Sequence, residues 1–267
     1  MSNHFRFKLG CDPEMFLADL NGGLKASCGL IGGSKEHPQP LTALGEGFAV
    51  QEDNVAIEFN IPPAPTMREF VESITKTIKV LNDGVNASYG FTLDRRSAAY
   101  FPKEELTSEA ALVFGCDPDF NAWSGEVNPK PKAADETLRS CGGHIHVGYD
   151  ISVVEPKTLI KYMDLFLGVP SILMDEGTLR KELYGKAGAY RPKSYGAEYR
   201  TLSNFWIHHP KLIEWAWKQT AVALEKARSN TLKIDAYRND IESAINKNDK
   251  NAAWTMVKEL GLEVVSV

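Results

Sequence analysis

The chain has 267 residues, enough to bury a substantial core as one large domain or two small ones. Its 43% apolar and 24% charged residues are ordinary for a folded globular chain, and a net charge of −5 argues against a broad basic face for an extended nucleic acid. No run approaches the roughly 20 apolar residues of a membrane span, and the N-terminus lacks a signal-peptide pattern.

In chain order, Phe5 to Leu17 reads as a strand carrying Gly10-Cys11-Asp12-Pro13-Glu14. Pro13 cannot donate to a ladder, so this strand is expected at an edge or with a bulge. Asn21-Gly22-Gly23 marks a tight turn and hence a hairpin. Residues 28–47, rich in Gly, Pro and polar groups, read as a loop able to move, and Phe48 to Asn60 as the next strand. Thr66 with Glu69 three residues on forms a capping box. The helix it opens carries Phe70, Val71, Ile74, Ile78 and Leu81, and Asn82-Asp83-Gly84 signals its end.

A strand is expected at Ala111–Phe114, leading into Gly115-Cys116-Asp117-Pro118-Asp119-Phe120, which echoes the segment at residue 10. A polar loop follows over 124–137, then the strand Gly142-Gly143-His144-Ile145-His146-Val147-Gly148. Pro156 to about Lys186 reads as a helix interrupted near Pro170, and Ala197 to Leu202 as a strand. His208-His209-Pro210 caps the next helix, and the chain is helical from about residue 211. The sum is α+β with an antiparallel-rich sheet and packed helices, read as a single domain over residues 1–267. Cys11, Cys28, Cys116 and Cys141 lack Cys-x-x-Cys spacing; reduced thiols in a cytoplasmic protein are expected, with two disulfides as the alternative.

Polar residues spaced by two recur on these strands: Asp12 and Glu14, Glu58 and Asn60, His144 and His146, Glu198 and Arg200. Side chains two apart on a strand share a face. Carboxylates gathered there repel one another unless a cation neutralises them, and an oxygen-rich set with imidazole suits Mg²⁺ or Mn²⁺. The plainer alternative pairs Glu58 and Glu198 with nearby lysines and arginines on a solvated face.

Three of these segments, Gly-x-Asp-Pro-Glu-Met-Phe-Leu, Gly-Gly-His-Ile-His-Val-Gly and Glu-Tyr-Arg-Thr-Leu, stand in the order of the signature strands of glutamine-synthetase-fold carboxylate–amine ligases. The chain most resembles the phage-type amidoligases of that superfamily, over residues 8–206. The resemblance implies a curved antiparallel sheet backed by helices, and ATP with Mg²⁺ or Mn²⁺ as cofactors. It implies Asp12, Glu14, Glu58, His144 and Glu198 as metal ligands, with Glu52 or Asp53 open as a further one. His146, Arg180, Arg191, Lys193 and Arg200 would meet the nucleotide phosphates, and Glu58, Glu198 and Arg200 would serve the chemistry. Asp117, Asp119 and Arg139 are candidates for substrate, although the aspartates would equally cap their own turn and the arginine stand in solvent.

The implied reaction joins a carboxylate to an amine through an acyl phosphate, with the 28–47 loop excluding water. The partners would be small-molecule or peptide carboxylates and amines, in the cytoplasm, or the host cytoplasm if the chain is phage-encoded. A homo-oligomer stays open. The alternatives are a phosphotransferase on the same fold, a metal-dependent hydrolase using His-x-His, and a degenerate binding protein.

Overall fold

A computed structural model describes residues 6–112, 119–130 and 135–267. Its strands are β1 (Lys8–Cys11), β2 (Glu14–Ala18), β3 (Leu24–Lys25), β4 (Gln39–Pro40), β5 (Ala49–Asp53), β6 (Ala56–Asn60), β7 (Thr92–Asp94), β8 (Ala98–Tyr100), β9 (Phe120–Asn121), β10 (Leu138–Ser140), β11 (Ile145–Gly148), β12 (Ala189–Lys193) and β13 (Gly196–Tyr199). Its α-helices are α1 (Met67–Tyr89), α2 (Glu109–Leu112), α3 (Pro156–Met163), α4 (Val169–Met174), α5 (Arg180–Leu183), α6 (Pro210–Ser229), α7 (Arg238–Asn246) and α8 (Lys250–Leu260).

The architecture is α+β, as the patterning implies. Among the described residues, five strands pair in the order β1-β11-β13-β12-β9, and six gather around β2 as β3-β2-β6-β5-β4 with β7 also on β2. Strands β8 and β10 form a separate pair, and every pairing is antiparallel.

The N-terminal strand is not continuous. At Asp12-Pro13 the chain leaves one sheet and enters the other, because Pro13 has no N–H to carry the ladder on. The Phe48–Asn60 strand also divides, into the β5–β6 hairpin, where Asn54 takes a left-handed φ of 57°. Asn tolerates that region better than most residues. The expected strand at Ala111–Phe114 is helical at Glu109–Leu112, and its remainder lies outside the described residues.

Thr66 caps α1 as the capping box requires, accepting from the Glu69 amide. The helix then runs through Asn82-Asp83-Gly84 and stops at Gly90, whose φ of 67° supplies the left-handed cap. Val85, buried one turn past Leu81, extends the apolar stripe and carries the helix over Gly84. Burying Phe70 or Ile74 on that stripe contributes roughly 2 kcal/mol each. The interruption near Pro170 is a π-helical turn at Asp164–Gly168, and Pro170 itself opens α4. His209 caps α6 through its Nδ1, which accepts from the Lys211 amide. One buried apolar cluster extends from Leu9 to Leu262, so α6 to α8 pack on the same core as the strands.

Candidate active site

Register places the polar row. Gly10, His146, Glu198 and Arg191 lie side by side across β1, β11, β13 and β12. Two residues along, Lys8, Gly148, Gly196 and Lys193 form the neighbouring row on the same face. In the second sheet Glu14, Glu58 and Gln51 are cross-strand neighbours, and Asp53 follows Gln51 on the same face. Gly142 joins the sheets: its carbonyl accepts from the Glu14 amide at 2.9 Å, and its own N–H donates to Glu14 Oε2 at 2.7 Å.

Two ligand sets result, one on each side of Pro13. Oxygen and nitrogen atoms of Asp12, His146 and Glu198 lie within 4.8 Å of one another, as do those of Glu14, Asp53 and Glu58. Asp12 Oδ1 and His146 Nε2 are buried without a hydrogen bond of sound geometry. His144 Nδ1 stands 3.2 Å from Asp12 Oδ1, and His146 Nε2 stands 3.2 Å from Asp12 Oδ2. Buried carboxylates facing one another, with orphaned donor and acceptor atoms between them, form a donor set that fits divalent cations.

Basic side chains close the first set. Arg200 Nη1 pairs with Glu198 Oε1 and lies 3.3 Å from His144 Nδ1, and its Nε lies 3.3 Å from Asp119 Oδ2. Lys193 Nζ reaches Glu198 Oε2 at 2.7 Å, and Arg191 Nη1 reaches Glu198 Oε1 at 3.4 Å. Behind Glu198 and Arg200, buried Asp164 accepts from Trp123 Nε1 (2.7 Å), the Gly188 amide (2.6 Å), the Tyr199 hydroxyl (2.9 Å) and Thr201 Oγ1 (3.2 Å). Four donors from three segments thus fix the end of β13. The cost is burial of the carboxyl, which pushes its pKa up to about 6.

The two sets differ electrostatically. Burial, with Asp53 nearby, pushes Glu14 up to about 7. Burial together with Asp12, Glu14 and Asp53 drives Glu58 well above the carboxylate range. Around Glu198, burial and Asp12 push the same way, yet Arg200, His144 and His146 outweigh them and hold it at about 2. Burial and Arg200 lower His144 to about 4, leaving a neutral imidazole.

Two cavities flank the carboxylates. One, of about 70 Å³, is lined by Glu14, Asp53, His144, Arg139, Arg180 and Arg200 among others. The other, of about 520 Å³, has Gly10 and Gly148 beside Lys8, Asn60, His146 and Tyr195. Arg180 lines only the first; its Nη1 and Nη2 donate to the carbonyls of Thr201 and Arg200 at 3.1 and 3.3 Å. Gly142 and Gly185 make room for this guanidinium, since a Cβ on either would crowd it.

Asp12, Glu14, Glu58, His144, His146, Glu198, Arg200, Arg191 and Lys193 therefore converge, and Arg180 shares the smaller cavity with Glu14, His144 and Arg200. Asp117 lies outside the described residues. Asp119 sits against Arg200 and also accepts from Asn128 Nδ2 at 2.9 Å. Arg139 is buried, not solvated: it donates to the carbonyls of Ala111, Glu136 and Leu138 and to Asn54 Oδ1. The β5–β6 register separates Glu52 from Asp53: Asp53 joins the carboxylates, and Glu52 accepts from the amides of Gly29, Ile31 and Gly32, tying down the start of the 28–47 loop. Gln51 and Tyr195 escaped the sequence reading. Gln51 was visible once the Asp53-Asn54 turn was placed, whereas Tyr195 has no local signal.

Residues 136–267 match the family described as phage phiEco32-like COOH.NH2 ligase-type 2. Among curated proteins none matches. A crystal structure described as that of a novel glutamine synthase homolog is similar over 95% of this chain, at 12% identity and a TM-score of 0.39, and the chain spans 66% of its length.

Proposed function

We propose that this chain, whose residues 136–267 match the COOH-NH2 ligase family model, joins a carboxylate to an amine at the expense of ATP, at a site for two divalent cations. The observation that carries this reading is the pair of ligand sets, Asp12–His146–Glu198 and Glu14–Asp53–Glu58, joined through a single proline and adjoining Arg200. The ligand atoms of Asp12, His146 and Glu198 group within 4.8 Å, and His144, 3.2 Å from Asp12 and 4.0 Å from Glu198, stands neutral beside them.

A carboxylate and an amine do not condense unaided in water, because oxide is a poor leaving group. In the proposed course a substrate carboxylate oxygen attacks the γ-phosphorus of ATP and ADP leaves. The amine nitrogen then attacks the acyl carbon, and phosphate departs with that oxygen. Divalent cations would supply charge neutralisation on the phosphoryl oxygens.

The chain's own residues do the remainder. Arg200, held by Glu198 and Asp119, presents a fixed positive charge where negative charge accumulates. Arg191 and Lys193, both paired with Glu198, add positive charge along the same face. Glu58, in the second carboxylate set with Glu14 and Asp53, would take the proton from the attacking amine once a cation holds that set ionised.

The hydrolase alternative lacks support from the downstream histidines. His209 caps α6, and His208 feels Arg95 and Asp94, away from the carboxylates. The test of the ligase reading is hydroxylamine trapping with ATP, Mg²⁺ and a panel of small carboxylates. Hydroxamate forming in step with ADP and phosphate supports it. A phosphorylated nitrogen product instead would make the chain a phosphotransferase, and turnover independent of ATP would remove the reading.

A further inference from the structure

The β12–β13 hairpin turns through Ser194 and Tyr195, with Lys193 paired to Gly196. The Tyr195 carbonyl accepts from the Tyr149 amide at 2.9 Å, which fixes the turn beside β11. From there the Tyr195 hydroxyl reaches His146 Nδ1 at 2.8 Å, and the two rings lie nearly parallel, 17° apart with centroids separated by 6.3 Å. Gly148 lies under the tyrosine: a Cβ there would stand 3.9 Å from its Cδ2. Tyr195 and His146 together also line the 520 Å³ cavity.

We infer that Tyr195 is the positioning residue for His146, holding the ring so that Nε2 is directed at the Asp12–Glu198 carboxylates. This rests on the cation-site reading above. A histidine that holds a cation through one nitrogen needs a partner on the other to fix ring orientation and tautomer. That partner is commonly a carboxylate or a carbonyl, which only accepts. A hydroxyl both donates and accepts. It serves His146 with Nε2–H turned to Asp12, when Nδ1 accepts from Tyr195. It serves equally with the Nε2 lone pair turned to a cation, when Nδ1–H donates to Tyr195. Tyr195 therefore lets the ring exchange tautomers without leaving its place, as an empty-to-loaded transition of this site requires. Among the described residues the hydroxyl's hydrogen-bond partner is His146, not a carboxylate.

The test is titration of Mn²⁺ alone into the full chain, followed by paramagnetic resonance, for the wild type, Tyr195→Phe, His146→Asn and the double variant. Loss of the outer partner should weaken Mn²⁺ binding about 10-fold in Tyr195→Phe, with the melting temperature unchanged. The double variant should bind no more weakly than His146→Asn. The ¹⁵N resonances of the His146 ring in the metal-free chain should move from one dominant tautomer toward an average in Tyr195→Phe. Unaltered Mn²⁺ affinity in Tyr195→Phe, with His146→Asn weakened, overturns the positioning role while leaving the cation site intact. Unaltered affinity in both removes the cation role of His146, and the inference with it. Losses that add in the double variant also overturn it, since Tyr195 would then act elsewhere.

Discussion

Glu14 and Glu58 face each other directly across β2 and β6, two carboxylates in register at the centre of a sheet. The Gly142 amide and the Gln51 side chain each give one of them a hydrogen bond, and no basic side chain forms an ion pair with either among the described residues. Holding both ionised would destabilise the sheet, and burial with the neighbouring acids raises the proton affinity of each instead. The arrangement is expensive without a cation and useful with one. In the metal-free chain Glu58→Gln should therefore raise stability by about 1 kcal/mol, seen as a rise in melting temperature of about 2–4 °C. The same variant should lose the stabilisation that Mg²⁺ gives the wild type. A lower melting temperature without metal would contradict the account.

Glu14 makes the site sensitive to pH. Its folded pKa, pushed by burial and Asp53 to about 7, lies above the ordinary value of 4.5. Its contribution to stability is then complete below pH 4.5 and is lost as the pH rises through about 7. A cation requires the ionised form, so Mn²⁺ affinity should rise over that interval and binding below pH 7 should release protons. Calorimetry in two buffers of different ionisation enthalpy measures the release, and a heat independent of buffer would exclude it.

Gly143 marks a close approach between the histidine strand and the segment before α6. A Cβ there would overlap the Ser203 carbonyl oxygen and stand 2.6 Å from Trp206 Nε1, which donates to the Gly143 carbonyl. Neither neighbour is the end of a flexible chain. Gly143→Ala should cost about 3 kcal/mol, checked by chemical denaturation. A loss below 1 kcal/mol would mean that the segment relaxes freely.

Adjacent acids on β5 should behave oppositely. Asp53→Asn should weaken Mn²⁺ binding, whereas Glu52→Ala should leave it unchanged and instead speed hydrogen exchange at Gly29, Ile31 and Gly32, the amides that Glu52 accepts from. Equal effects of the two variants on Mn²⁺ would contradict the observed register.

Local signals carried much of the architecture. The Thr66–Glu69 box, the Asn21-Gly22-Gly23 hairpin and the His209 cap are decided within a few residues, and each stands as read. The helix end at Asn82-Asp83-Gly84 was misread because buried Val85 and the left-handed Gly90 outweigh a mid-helix glycine. Convergence of Asp12, Glu14, Glu58, His146, Glu198 and Arg200 was legible from spacing by two. Which acid joins which set was not, because the division depends on the change of sheet at Pro13 and on cross-strand register. Tyr195 and Asp164 were invisible for the same reason: their partners lie 49 and 35 residues away.

The central claim is that these carboxylates hold ATP through divalent cations, and calorimetric titration of ATP with Mg²⁺ into the wild type, Glu14→Gln and Glu198→Gln tests it most directly. The account predicts binding that requires Mg²⁺ in the wild type and is lost or weakened at least 10-fold in both variants. Nucleotide binding indifferent to Mg²⁺ and to both substitutions, or no nucleotide binding at all, would contradict it.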